Sequence, residues 1–136
     1  MPEHRVLLVS HDTGLVCFLL GIDTPENLDI YHSRGDIFEN MVVANFIKNR
    51  YNMGKEPNIF FYKDKSKIEV DIFEQTQFKY NAIEIKSSKI FHSGFFANLN
   101  YVKNLLNEDI VSMSVIFDGD ISIPSQFGGT KNFRSL

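Results

Sequence analysis

The sequence predicts an α/β fold, a mixed sheet with helices packed on it, and three patterns carry that expectation. Residues 35–53 repeat apolar side chains at helical spacing, as Phe38, Val42, Val43, Phe46 and Ile47. Three extended segments follow between residues 58 and 88, two of which alternate apolar and charged side chains with period two. A second helical stripe and one more apolar run, 110–117, complete the order helix, strand, strand, strand, helix, strand.

The first of these elements places an acid where acids are uncommon. With successive residues about 100° apart, Phe38, Val42 and Phe46 fall at about 0°, 40° and 80°, and Glu39 at about 100°. Its carboxylate therefore points into the core-facing stripe, where it calls for a cation, a hydrogen-bond network or a cleft. The favourable helix dipole in the first turn accounts for an acid there but not for its inward face. Gly54 and Pro57 then close the helix.

The strands come next. Asn58 to Lys63 is rich in Phe and Tyr. Ile68, Val70 and Ile72 alternate with Glu69, Asp71 and Phe73, and Ile83 and Ile85 alternate with Glu84 and Lys86. Period two sends Glu84 and Lys86 to one side and the two isoleucines to the core. If the second and third strands form a hairpin turning between Gln77 and Phe78, Asp71 and Glu84 stand opposite each other. Phe95, Leu99, Val102 and Leu106 then mark a helix over 93–107, on which the directions of Asn98 and Tyr101 are left open. The tail from Asp118, with Gly119, Pro124, Gly128 and Gly129, reads as loop with at most a last edge strand. Before the first long helix, Val6 to Val9 is strand-like, and Asp12 is placed to cap a brief helix through Leu15, Phe18 and Leu19 to Gly21. Asp23 to Asn27 reads as a turn into a short helical piece.

At 136 residues this is one domain, with residues 1–33 as an N-terminal extension, 34–117 as the core and 118–136 as the tail. A single cysteine, Cys17, excludes a disulfide framework and fits a reducing, cytoplasmic setting; within its apolar run it reads as core. That run, Leu15 to Ile22, is far short of the roughly 20 residues that span a bilayer, so no membrane partner is expected. The net charge of −3 hides a division along the chain: residues 34–103 hold 11 basic and 8 acidic side chains. The basic excess surrounds Asp71 and Glu84, as a phosphate-binding surface requires, although lysines are also common on ordinary solvated faces. His4, His11, His32 and His92 lack zinc-ligand spacing and read as surface or capping residues.

Asp71, Glu84 and Lys86 are the candidate chemistry. Phosphodiester hydrolysis needs neutralisation of charge on the phosphoryl oxygens and a hydroxide near neutral pH, and a hard divalent cation supplies both. Magnesium, or manganese, takes oxygen ligands and commonly only one or two carboxylates. Asp71 and Glu84 provide them, the Ile85 backbone carbonyl is a further ligand candidate, Lys86 is placed to orient the attacking water, and Glu39 is an auxiliary acid. The competing reading of Glu84-Ile85-Lys86 by itself is an inert surface ion pair. Ser87 and Ser88 read as phosphate contacts or, more commonly, as the end of the strand.

Glu39, Asp71 and Glu84-Ile85-Lys86, in that element order, resemble the PD-(D/E)XK nuclease superfamily, which includes archaeal Holliday junction resolvases. Asp12-Thr13-Gly14-Leu15, Leu20-Gly21-Ile22, Gly35-Asp36-Ile37-Phe38-Glu39-Asn40, Gly54-Lys55-Glu56-Pro57-Asn58, Glu69-Val70-Asp71 and Glu84-Ile85-Lys86-Ser87-Ser88 resemble the C-terminal domain of a prokaryotic family of AAA ATPase-like proteins. The resemblance implies a restriction-endonuclease-like fold, a magnesium site at Glu39, Asp71, Glu84 and Lys86, and DNA as partner. Members of that family carry an N-terminal ATPase module, so the resemblance implies an ATPase domain in cis or in trans; this chain departs from them in having no phosphate-binding loop, since Gly128-Gly129-Thr130-Lys131 does not meet that pattern, and reads as a fragment or a stand-alone copy. A homodimer is permitted by the Phe-rich surface. The alternative function is a non-catalytic interaction or regulatory module attached to such an ATPase.

Overall fold

The computed structural model describes residues 13–120, 124–125 and 128–135. Helices α1 (Thr13–Leu19), α2 (Pro25–Ile30) and α3 (Arg34–Asn52) lead into strands β1 (Ile59–Lys63), β2 (Glu69–Thr76) and β3 (Lys79–Lys86). Helix α4 (Ala97–Leu106), entered through a 3-10 turn at Ser93–Phe96, connects to β4 (Ile110–Phe117), and β5 (Pro124–Ser125) and β6 (Gly128–Asn132) follow. Among the described residues the sheet has the order β1-β2-β3-β4-β6-β5. The first three strands are antiparallel, β3, β4 and β6 run parallel, and β5 returns antiparallel to β6. Parallel pairing of β3 with β4 needs a crossover, and α4 provides it.

Two cores lie on the two faces of this sheet. Phe38, Val42 and Val43 of α3 pack on Ile72, Ile83, Ile85 and Ile116. Leu99 and Val102 of α4 pack on Val70, Phe73, Ala82, Met113, Val115 and Phe117. The helical stripe and the alternation of Ile83 and Ile85 thus fall as the sequence predicts.

In β2 the strict alternation fails. Phe60 pairs with Phe73 and Tyr62 with Val70, so Asp71 and Ile72 together occupy the interval that Phe61 spans alone. This two-against-one count is a β-bulge, which shifts the phase of the strand. Val70 consequently joins the α4 core while Ile72 joins the α3 core, although the sequence pattern put them on one face.

The β2–β3 hairpin turns through Gln77, in the left-handed region at φ 59°, and Phe78, with Thr76 paired to Lys79. That is the predicted register. At the chain's entrance, Thr24 Oγ1 accepts from the Asn27 N–H at 3.1 Å, and Pro25 occupies the first turn of α2. The brief helix expected near Leu15 is α1, but most of its apolar run is not core: Phe18 and Leu19 are 77% and 74% exposed and Cys17 is only half-buried, while Ile22, beyond the helix, is buried. The expected strand Val6 to Val9, the Asp12 cap, His4 and His11 lie outside the described residues. The tail also departs from expectation, because β6 lies inside the sheet between β4 and β5 rather than at its edge. A Gly-Gly start gives no strand signal, so only the pairing with β4 reveals it. Among the described residues no helix is long and apolar enough to cross a membrane.

Candidate functional site

The bulge in β2 decides where Asp71 goes. Pairing between β2 and β3 runs from Thr76–Lys79 to Ile72–Ile83, and the next step in that register sets Asp71 opposite Glu84. There a side chain replaces the ladder: Asp71 Oδ2 accepts from the Ile85 N–H at 2.7 Å. The ends of the two strands hold a carboxylate between them instead of a backbone hydrogen bond.

Glu84 is 4% exposed, and Lys86, two residues on and therefore on the same face, donates from Nζ to Glu84 Oε1 at 2.9 Å. Its other oxygen, Oε2, is buried and accepts no hydrogen bond. A buried carboxylate oxygen without a donor is costly when ionised. Burial, with the Asp71 charge next, pushes the Glu84 carboxyl up to about 7; Lys86 opposes the shift and Glu39 adds to it. Asp71 is also raised, mainly by burial and against the pull of the Ile85 N–H and Lys86, with a smaller push from Glu69. Two neighbouring acids that both hold protons too tightly mark a place short of positive charge.

Glu39 sits half-buried on α3, close enough for Glu84 to respond to its charge. The helix that carries it is tied to the end of β3 through Arg34, whose Nη1 donates to the Ser87 carbonyl at 2.6 Å. Asp71, Glu84, Lys86 and Glu39 are thus brought into electrostatic contact with Glu84 as the common member. Among the described residues no group of three or more His, Cys, Asp or Glu side chains stands ready to hold a metal ion. Glu39 is therefore a neighbour of the carboxylate pair and not part of a preformed three-acid cage. A two-carboxylate donor set fits the chemistry of magnesium, which keeps several waters, and Glu84 Oε2 is a buried oxygen with no hydrogen-bond donor.

Other expectations resolve more simply. Ser88 Oγ bonds the Ile90 carbonyl and N–H at 2.9 and 3.1 Å, so this serine ends the strand. His32 and His92 are exposed, and His92 leads the 3-10 turn without a side-chain capping bond. Asn98 reaches from α4 to the Glu69 carbonyl at 3.0 Å, holding the strand just before the bulge, while Tyr101 is largely exposed. Sequence reasoning missed Arg34 and Asp118, which pair at 3.2 Å across 84 positions. It also missed Arg50 and Glu74, an ion pair joining α3 to β2 and extended by Asn81 and Ser112. No local pattern could have found these, because each partner lies on a different element.

These features define a mixed α/β domain bearing two carboxylates and a lysine where a β-hairpin parts. The model of one family, the Domain of unknown function (DUF4143), matches residues 34–130, and the chain belongs to that family. The domain is known in AAA-ATPase-like proteins. The matched span contains Glu39, Asp71, Glu84 and Lys86. No curated protein and no solved structure matches the chain.

Proposed function

We propose that this domain is a magnesium- or manganese-dependent phosphodiesterase acting on DNA, with a restriction-endonuclease-like core of the PD-(D/E)XK type. The observation that carries the reading is the buried, donorless Glu84 Oε2 beside Asp71, on a strand whose next outward side chain is Lys86. The order α3-β1-β2-β3-α4-β4, with three antiparallel strands followed by a parallel one, supports the fold assignment.

Asp71 and Glu84 would hold the cation, with the Ile85 carbonyl as a further ligand. When bound, the ion supplies charge neutralisation at the phosphoryl oxygens and makes water a nucleophile near neutral pH. Asp71 is oriented for this by the Ile85 N–H, which fixes one oxygen and leaves the other available. Lys86, half-exposed at the end of β3, meets the charge that develops on phosphorus-bound oxygen and orients water; its present bond to Glu84 Oε1 keeps its ammonium at the site. Glu39 holds water on the helix side. The surplus of basic residues over 34–103 provides the field that attracts the nucleic-acid backbone.

The purified chain with magnesium or manganese is expected to nick plasmid or branched DNA. Asp71→Ala and Lys86→Ala should each lower the rate by about two orders of magnitude or more. Cutting that survives both substitutions would overturn the assignment. A second reading is favoured by the family's occurrence in AAA-ATPase-like proteins: a non-catalytic module that recruits or regulates such an ATPase in cis or in trans. It is distinguished by metal titration, since a recruiting module has no need to hold the ion.

A further inference from the structure

We infer that Arg34 is a positioning residue for the Glu84–Lys86 step, a reading that rests on the site proposed above. Arg34 opens α3, five residues ahead of Glu39 on the same helix. Its Nη1 donates to the Ser87 carbonyl at 2.6 Å, its Nη2 to Asp118 Oδ2 at 3.2 Å and its Nε to Asp29 Oδ1 at 3.2 Å. Ser87 and Asp118 are the residues that follow Lys86 and Phe117, the last pair between β3 and β4. The Asp118 N–H in turn donates to the Ser88 carbonyl at 3.2 Å. One guanidinium therefore ties the start of α3 to the ends of both central strands, one residue beyond the proposed site.

Four residues of helix separate Arg34 from Glu39, so the anchor at Ser87 also sets the first turns of α3 against the end of β3. The next residue meets the same strand end: a Cβ on Gly35 would lie 3.7 Å from Ser87 Oγ, an ordinary van der Waals contact. Arginine suits the task because its planar fork addresses a carbonyl and a carboxylate at once, which a lysine ammonium reproduces only in part. Asp118 is mostly buried, and its other cation, Arg134, stands 4.0 Å away on an exposed side chain. The Asp29 arm is exposed and belongs to the surface.

The test compares the wild-type chain with Arg34→Met, Arg34→Lys and Asp29→Asn by manganese titration and by the amide NMR signal of Ile85, whose N–H reports the bond to Asp71. Asp29→Asn should match the wild type. Arg34→Met should shift the Ile85 signal and weaken manganese binding about tenfold or more, with Arg34→Lys recovering part of both. A folded Arg34→Met with wild-type affinity and an unmoved Ile85 signal would overturn the inference and leave Arg34 a fold-stabilising residue. Should Arg34→Met not fold, Arg34→Lys carries the same two readouts: a partial change in both supports the tie, and wild-type values for both overturn it. If the wild type takes up no manganese, the metal reading fails separately, and the Ile85 signal alone decides for or against Arg34.

Discussion

Taking the Glu84 carboxyl out of water with Asp71 beside it favours the neutral acid, so the metal-free protein gains stability by protonating it. The folded-state value, about 7, lies above the ordinary glutamate range. The sign follows from linkage: the stabilisation is complete below the unfolded-state value near 4.5 and is lost as pH rises through about 7. Asp71 is shifted in the same direction. Thermal melts of the metal-free chain should therefore show a higher midpoint at pH 5.5 than at pH 8, within the range where the remaining carboxylates stay ionised (roughly above pH 5). Glu84→Gln should flatten most of that slope and raise the midpoint at pH 8; an unchanged slope would count against Glu84 as its source. At this scale the sequence was informative where period two operates, since Glu84, Ile85 and Lys86 need only their own strand to sort them between faces. Glu39 was legible as an inward acid on a helical wheel, but its distance from a metal ligand set was not. Arg34 left no trace, because its partners are a backbone carbonyl and an aspartate far along the chain.

At the level of elements, the hairpin register could be read because the turn at Gln77 and Phe78 fixes every pair behind it. The bulge at Asp71 and Ile72 could not, because Ile68, Val70 and Ile72 mimic a regular strand and only β1 exposes the extra residue. Helix α4 and the loop after β4 hold the other face. Leu99 is fully buried against the sheet, so Leu99→Ala should cost about 2–5 kcal/mol in chemical denaturation. In the loop, a Cβ at Gly119 would sit 2.7 Å from the Lys89 carbonyl oxygen and closer still to the Phe117 ring. Gly119→Ala is accordingly expected to destabilise by about 1–3 kcal/mol, measured the same way, by forcing apart the loops that follow β3 and β4. A loss within experimental error would mean that those loops yield easily and do not brace the site.

Across the molecule, α3 and α4 cover opposite faces of one sheet, and Asp71 and Glu84 gather where β2 and β3 part, beside the end of β3 to which Arg34 ties the start of α3. The order of elements from residue 35 to 117 was evident from apolar periodicity. The position of β6 inside the sheet was not, since glycines announce no strand, and the exposure of α1 was missed because an apolar run looks the same whether or not a partner covers it. If the basic excess of the core serves a phosphate backbone, DNA affinity should fall steeply between about 50 and 200 mM salt in a filter or anisotropy assay, whereas salt-independent binding would point to another surface.

Manganese calorimetry near pH 7, run in buffers of different ionisation enthalpy, addresses the carboxylate pair most directly. One ion should bind per chain and release protons, because ligation displaces the proton that Glu84 holds at that pH, and Glu84→Gln and Asp71→Ala should abolish both signals. Binding undiminished in those variants, or no binding by the wild-type chain, would contradict a cation site between β2 and β3.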